Sequence, residues 1–279
     1  MINDKQKNKF FKDGYLILEN YTEKKTCNQL IEQANTLANK LPINEISVFL
    51  AHQDSVNSDK YFLESGNKIR FFFEEEAFDL DGNLKQDINL SLNKIGHALH
   101  EKDPIFNQFS HSETLYKIAR ILGICEPITV QSMYIFKQPD IGGEVTYHQD
   151  STYIYTDPFS TFGFWWALED SYVENGCLWV WPEGHKICPL KKKLIRKDDG
   201  TVSYEIFDRT EWPKDKFIPL EVTAGTLVLL DGLLPHGSYP NRSKKSRHAY
   251  SVHIIDKKCN YPSTNWLQPT QDMPFKGLK

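Results

Sequence analysis

The chain has 279 residues, 40% of them hydrophobic and 13% aromatic, which is enough apolar material for one β-rich domain with a sizeable core and cramped for two. A formal charge of -4 excludes the strongly basic field that would recruit nucleic acid or an anionic membrane, so a small molecule is the expected partner. Five cysteines, Cys27, Cys125, Cys177, Cys188 and Cys259, are odd in number and scattered without a CxxC pair, which reads as reduced thiols in a cytoplasmic protein.

The opening segment MINDKQKNKFF is polar and lacks the apolar stretch of a signal peptide. No transmembrane run follows, so no membrane insertion is expected, and the final GLK is not a peroxisomal address. Thr22 to Leu41 carries Cys27, Leu30, Ile31, Ala34 and Leu37 at helical spacing and predicts a helix. Ser91 to Glu101 and Ser112 to Leu122 predict two more, so the chain leans helical over residues 1–125 or so. From Ile128 the pattern changes to short strands separated by Gly, Pro, Asn and Asp, the clearest being ITVQSMYIF, FGFWWALE, CLWVW, TLVLL and SRHAYSVHII. Helices followed by closely spaced strands predict a mainly β fold with flanking helices, an antiparallel jelly-roll or cupin-like barrel, rather than βαβ units. No repeat or linker divides the chain, so one domain over residues 1–279 is expected, with its β core at about 126–260.

Within that β region, HQD places His148 and Asp150 two residues apart, on one face of an extended segment. Two imidazoles and one carboxylate on one face suit divalent iron and leave about three octahedral positions open. HxD alone is weak, because a second HQD stands at His52, Gln53 and Asp54, in a polar stretch read as a surface loop. On spacing alone, His148 and Asp150 serve equally well as a polar turn after Gly142 and Gly143. What separates the two copies is the sequel. His236 ends the hydrophobic run TLVLLDGLLPHG, and eleven residues further on Arg247 opens SRHAYSVHII, where a guanidinium can grip a dicarboxylate. The other copy has Phe159 at the corresponding place.

Strand alternation gives a second line of expectation. In FGFWWALE, Phe162, Phe164, Trp166 and Leu168 share the face expected against outer helices, while Gly163, Trp165 and Ala167 share the other, where small residues flank one indole as a ligand wall would; core filling explains Trp165 equally well. Arg247, Ala249, Ser251 and His253 likewise share one face, with room beside the arginine. The basic run Lys191, Lys192, Lys193, Arg196 and Lys197 reads as a solvated loop before it reads as a site for an acidic substrate. Tyr153, Tyr155, Trp179 and Trp181 would suit an apolar substrate or a plain core.

Taken together, HQD, WWALED followed by ENGCLWVWPEGHK, the HGS at His236, SRHAY, SLNKIGHALH, VQSMYIFKQPDIGGEV and NWLQPT resemble the phytanoyl-CoA dioxygenase family, over about Lys60 to Phe275. The resemblance implies a double-stranded β-helix that binds Fe(II) and the cosubstrate 2-oxoglutarate and takes O2 and a small-molecule substrate, with ascorbate as a candidate auxiliary reductant. It carries the metal ligands to His148, Asp150 and His236, and the cosubstrate contacts to Lys94, Met133, Trp165, Ser238 and Arg247. From the residues alone, Lys94 would be an exposed helix lysine and Met133 core. In halogenases similar to this family a small residue replaces the carboxylate; Asp150 is present here, so hydroxylation is the expected reaction. Two alternatives stay open at this point: a non-catalytic iron and 2-oxoglutarate sensor or scaffold, and a zinc hydrolase, which would leave Arg247 without a role.

Overall fold

A computed structural model describes residues 2–41, 47–48 and 60–277. The N-terminal helix α1 (Asp4–Asp13) is capped at both ends, Asn3 accepting from the Gln6 amide and Gly14 closing the last turn in the left-handed conformation. It leads into β1 (Tyr15–Leu18) and then α2 (Lys24–Ala38). The short α3 (Lys60–Leu63), β2 (Ile69–Phe73), β3 (Leu92–His97) and the helices α4 (Leu99–Lys102), α5 (Pro104–Ser110) and α6 (Glu113–Ile121) follow. Strands then dominate: β4 (Pro127–Ile135), β5 (Val145–His148), β6 (Phe162–Ala167), β7 (Leu178–Val180), β8 (Lys192–Arg196), β9 (Val202–Ile206), β10 (Ile218–Leu220), β11 (Leu227–Asp231), β12 (His236–Ser238), β13 (Ala249–Asp256) and β14 (Lys276–Gly277).

The major sheet is antiparallel in the order β1-β11-β6-β13-β4-β3-β2, with β14 also on β4; a minor sheet runs β10-β7-β12-β5. This is the double-stranded β-helix expected. The outer face of the major sheet sends Phe162, Phe164, Trp166, Leu168, Tyr250 and Val252 into one core with Phe10, Cys27, Leu30, Ala34, Phe106, Leu115 and Ile118 of the helices. The inner face is built from cross-strand rows. Lys94, Ile135, Ala249 and Ala167 form one row, Gly96, Met133, Ser251, Trp165 and Val228 the next, and Gln131, His253, Gly163 and Leu230 the third. The two faces predicted for FGFWWALE are therefore the two faces observed.

Three expectations need correction. The helix predicted over Ser91–Glu101 is mostly strand: β3 occupies Leu92–His97, buried on both faces, so it shows no alternation, and Gly96 weakens a helix. The first 125 residues are accordingly not only helical, because β1, β2 and β3 form the two edges of the major sheet. The basic run is not a loop but half of the β8–β9 hairpin, in which the Lys192 and Lys193 ammoniums stand 4.0 and 4.1 Å from the Tyr204 and Tyr155 ring centres.

Candidate functional site

Two neighbouring strands of the minor sheet bring the histidines together. β5 ends on His148, β12 begins on His236, and the two residues are directly opposed in the ladder, with ring centres 4.4 Å apart. The Asp231–Pro235 turn delivers His236: the Asp231 carboxylate accepts from the Leu233 amide at 2.8 Å. Gly237 lets β5 lie close, since a Cβ there would come within 2.6 Å of the Val145 carbonyl. Gln149, between His148 and Asp150, is fully buried and bonds backbone on both sides, donating to the Leu233 carbonyl at 2.8 Å and accepting from the Lys191 amide at 3.0 Å. Its extended backbone leaves His148 and Asp150 on one side although Asp150 already starts a 3-10 turn.

His148, Asp150 and His236 each offer a ligand atom within 4.8 Å of the others, an arrangement that could hold a metal ion. The Asp150 Oδ1 is 3.5 Å from His148 Nε2 and 3.6 Å from His236 Nε2. Each imidazole spends its Nδ1 on a carbonyl, that of Thr146 or Leu234, both at 2.9 Å. A carbonyl only accepts, so Nδ1 carries a proton and each ring turns its Nε2, the nitrogen through which it could hold a metal, toward Oδ1. Burial alone would raise the Asp150 carboxyl; His253, His236 and His148 more than offset it and hold the group well below the usual carboxylate range. Burial pushes His236 down to about 4, favouring the neutral, ligating ring.

A cavity of about 360 Å³ contains this cluster, and its lining includes all eight site residues expected from the sequence: His148, Asp150, His236, Lys94, Met133, Trp165, Ser238 and Arg247. Arg247 is 1% exposed, its Nε donates to the Gly176 carbonyl at 3.1 Å, and its Nη1 has no hydrogen-bond partner among the described residues. Burial lowers it to about 10, and its guanidinium carbon lies 5.4 Å from the centre of the Trp165 ring. Arg247 stands two residues before the β13 ladder rather than in it. Lys94, expected as an exposed helix residue, is a buried strand residue on the inner face, 5.3 Å from the Phe72 ring centre, and burial lowers it to about 7.

Two cavity residues escaped the sequence. Lys137, 2% exposed, donates to Ser238 Oγ at 2.8 Å and to the Gly143 carbonyl, and burial followed by the Arg247 charge drives it well below the usual amine value. A lone lysine after an apolar strand carries no sign of this. His253 approaches Asp150 Oδ2 at 3.3 Å, a contact foreshadowed only by its sharing a strand face with Arg247. Of the four aromatics weighed as substrate walls, Tyr153 lines the cavity, whereas Tyr155, Trp179 and Trp181 pack against Phe159, Tyr239 and Phe217. The second HQD, at His52 to Asp54, lies outside the described residues.

Residues 10–249 match the family model described as phytanoyl-CoA dioxygenase. The chain belongs to that family. It is 44% identical over 262 residues to the phytanoyl-CoA dioxygenase of Arabidopsis thaliana, covering 93% of this chain and 91% of the relative. It is 40% identical over 287 residues to phytanoyl-CoA dioxygenase domain-containing protein 1 of Bos taurus, covering 99% and 98%. Among solved structures, the nogalamycin carbocyclase SnoK, described as non-heme and alpha-ketoglutarate dependent, superposes with a TM-score of 0.65 at 16% identity over 98% of this chain and 96% of its own. EctD from S. alaskensis with 2-oxoglutarate and 5-hydroxyectoine does so with a TM-score of 0.65 at 17% identity, over 99% and 86%. These two share the fold. As a member of the phytanoyl-CoA dioxygenase family, the chain is a 2-oxoglutarate-dependent dioxygenase, using Fe(II), 2-oxoglutarate, O2 and a small-molecule substrate. No helix among the described residues is long and apolar enough to cross a membrane.

Proposed function

We propose that this dioxygenase hydroxylates a C–H bond of a small molecule, with iron held by His148, Asp150 and His236 and the distal carboxylate of 2-oxoglutarate held by Arg247. The observation that carries the assignment is the pairing, in one cavity, of a cluster whose two Nε2 atoms lie 3.5 and 3.6 Å from one carboxylate oxygen with a buried guanidinium whose Nη1 has no hydrogen-bond partner among the described residues. Iron bound there would couple reduction of O2 to oxidative decarboxylation of 2-oxoglutarate, giving succinate, carbon dioxide and one oxygen atom for the substrate.

The chain's own groups do the rest. Arg247, with Lys94 and the Ser238 hydroxyl, anchors the dicarboxylate by its far end and orients it. Lys137, which also lines the cavity, donates to that hydroxyl and fixes its position. Trp165 and Met133 wall the chamber and keep water from the reacting centre. Three protein ligands leave coordination positions for cosubstrate and oxygen, and the carboxylate leaves no place for the halide that a halogenase needs. A zinc hydrolase on the same three ligands would give the buried guanidinium no partner.

The test is succinate formation from 2-oxoglutarate by protein reconstituted with Fe(II) and ascorbate, screened against metabolite fractions. Substrate-stimulated succinate from the native chain, reduced at least 100-fold in Asp150→Ala, is the expected result. Equal succinate from both proteins would refute the assignment.

A further inference from the structure

We infer that His253 is a positioning residue that donates a hydrogen bond to Asp150 Oδ2 and keeps this carboxylate a one-oxygen ligand. The inference rests on the iron site proposed above.

The two oxygens of Asp150 have different surroundings. Oδ1 faces both histidines of the triad, at 3.5 and 3.6 Å. Oδ2 is buried, has no hydrogen-bond partner of ordinary geometry among the described residues, and lies 3.3 Å from His253 Nε2. That is long for a hydrogen bond, yet the ring nitrogen and the carboxylate are both buried, with side chains 7% and 8% exposed. A carboxylate accepts and cannot donate, so a hydrogen bond across this contact needs the proton on His253 Nε2. His253 is not in the group whose ligand atoms lie within 4.8 Å of one another, and its nitrogen approaches the other oxygen of Asp150.

The fold makes room for this contact. His253, Gly163 and Gln131 are directly opposed on β13, β6 and β4, so Asp150 reaches His253 across the glycine. A Cβ on residue 163 would stand 3.1 Å from Asp150 Oδ2 and 3.7 Å from His253 Cδ2. The β13 ladder also shifts register between His253 and Ile254, a device that re-aims a side chain. A carboxylate free to rotate could engage a metal through both oxygens and occupy a position that cosubstrate or O2 needs. A donor fixed on Oδ2 prevents that and orients Oδ1.

The test is Mn(II) binding to the metal-free full chain, followed by loss of the free Mn(II) electron paramagnetic resonance signal, with urea melts of the same metal-free proteins. His253→Ala is expected to weaken Mn(II) binding about 10- to 100-fold with little change in the metal-free melt, and His253→Gln, which restores a donor, to recover most of the loss. Gly163→Ala, which leaves the histidine in place but crowds Oδ2, should weaken binding in the same direction. Wild-type Mn(II) affinity in His253→Ala overturns the inference. So does failure of His253→Gln to recover affinity while its melt matches wild type, which would make the ring itself a ligand. If His253→Ala does not fold, Gly163→Ala decides: unchanged Mn(II) affinity there overturns the inference. Asp150→Ala is the reference: if it binds Mn(II) like the wild type, the iron site itself is wrong, whereas lost binding there with intact binding in His253→Ala removes only the role of His253.

Discussion

Replacing Arg247 by Met should separate two quantities that usually fall together, cosubstrate affinity and stability. Arg247 is 1% exposed, and its Nη1 has no hydrogen-bond partner among the described residues. Charge-assisted hydrogen bonds contribute about 1.5–3 kcal/mol each, so losing a two-pronged grip on a carboxylate costs about 3–6 kcal/mol of binding. That corresponds to a roughly 10²- to 10⁴-fold higher Kd for 2-oxoglutarate. Stability should respond differently. An isosteric apolar side chain removes a desolvated charge, which is neutral to favourable, and removes the bond from Nε to the Gly176 carbonyl, worth about 1 kcal/mol. The two nearly cancel, so the cosubstrate-free protein should melt in urea within about 1 kcal/mol of wild type. Isothermal titration of 2-oxoglutarate into Mn(II)-loaded protein gives the first quantity and urea unfolding of the metal-free chain the second. Arg247→Lys, which keeps the charge and loses the fork, should fall between. Arg247→Met that binds 2-oxoglutarate within about threefold of wild type would refute the role assigned to the guanidinium.

Two further outcomes follow from burial. Burial lowers Lys94 to about 7 from its usual 10.5, so between these values the unfolded chain holds a proton that the folded chain has lost. Stability of the cosubstrate-free protein should therefore rise with pH across that window, by at most about 1.4 kcal/mol per pH unit, while 2-oxoglutarate affinity declines as the ammonium is lost; the same urea slope with pH in Lys94→Met would show that Lys94 is not its source. The adjacent tryptophans should behave oppositely: Trp166→Ala, which empties a fully buried site beside Phe109 and Tyr250, should cost about 3–5 kcal/mol with little change in 2-oxoglutarate affinity. Trp165→Phe should cost less than about 1.5 kcal/mol but weaken 2-oxoglutarate binding, and a reversed pattern in melts and titrations would mean the faces of β6 are misassigned.

What the sequence revealed depended on whether a residue's role is local. His148 and Asp150 stand two apart on an extended segment, and His236 and Arg247 end or precede apolar runs, so their directions follow from backbone periodicity. The two faces of FGFWWALE were legible for the same reason. β3 was not, because a strand buried on both sides loses alternation and its partner β4 lies some thirty residues away in sequence. From the residues alone Lys94 therefore reads as a surface residue, and its proposed contact with the cosubstrate rests on family resemblance. Lys137 and His253 make tertiary contacts, with Ser238 about a hundred residues off in one case and Asp150 in the other, and no spacing rule reaches that far.

The direct opposition of His148 and His236 in the minor sheet ties metal retention to strand alignment. Side chains alternate along each strand, so a slip of one residue between β5 and β12 would turn His148 or His236 to the opposite face and dismantle the proposed site. These strands are four and three residues long, short enough that their backbone ladder discriminates weakly between neighbouring alignments. On the proposed assignment, a bound ion would favour the alignment that opposes His148 and His236 over its neighbours, so metal affinity and the register of the smaller sheet would be linked.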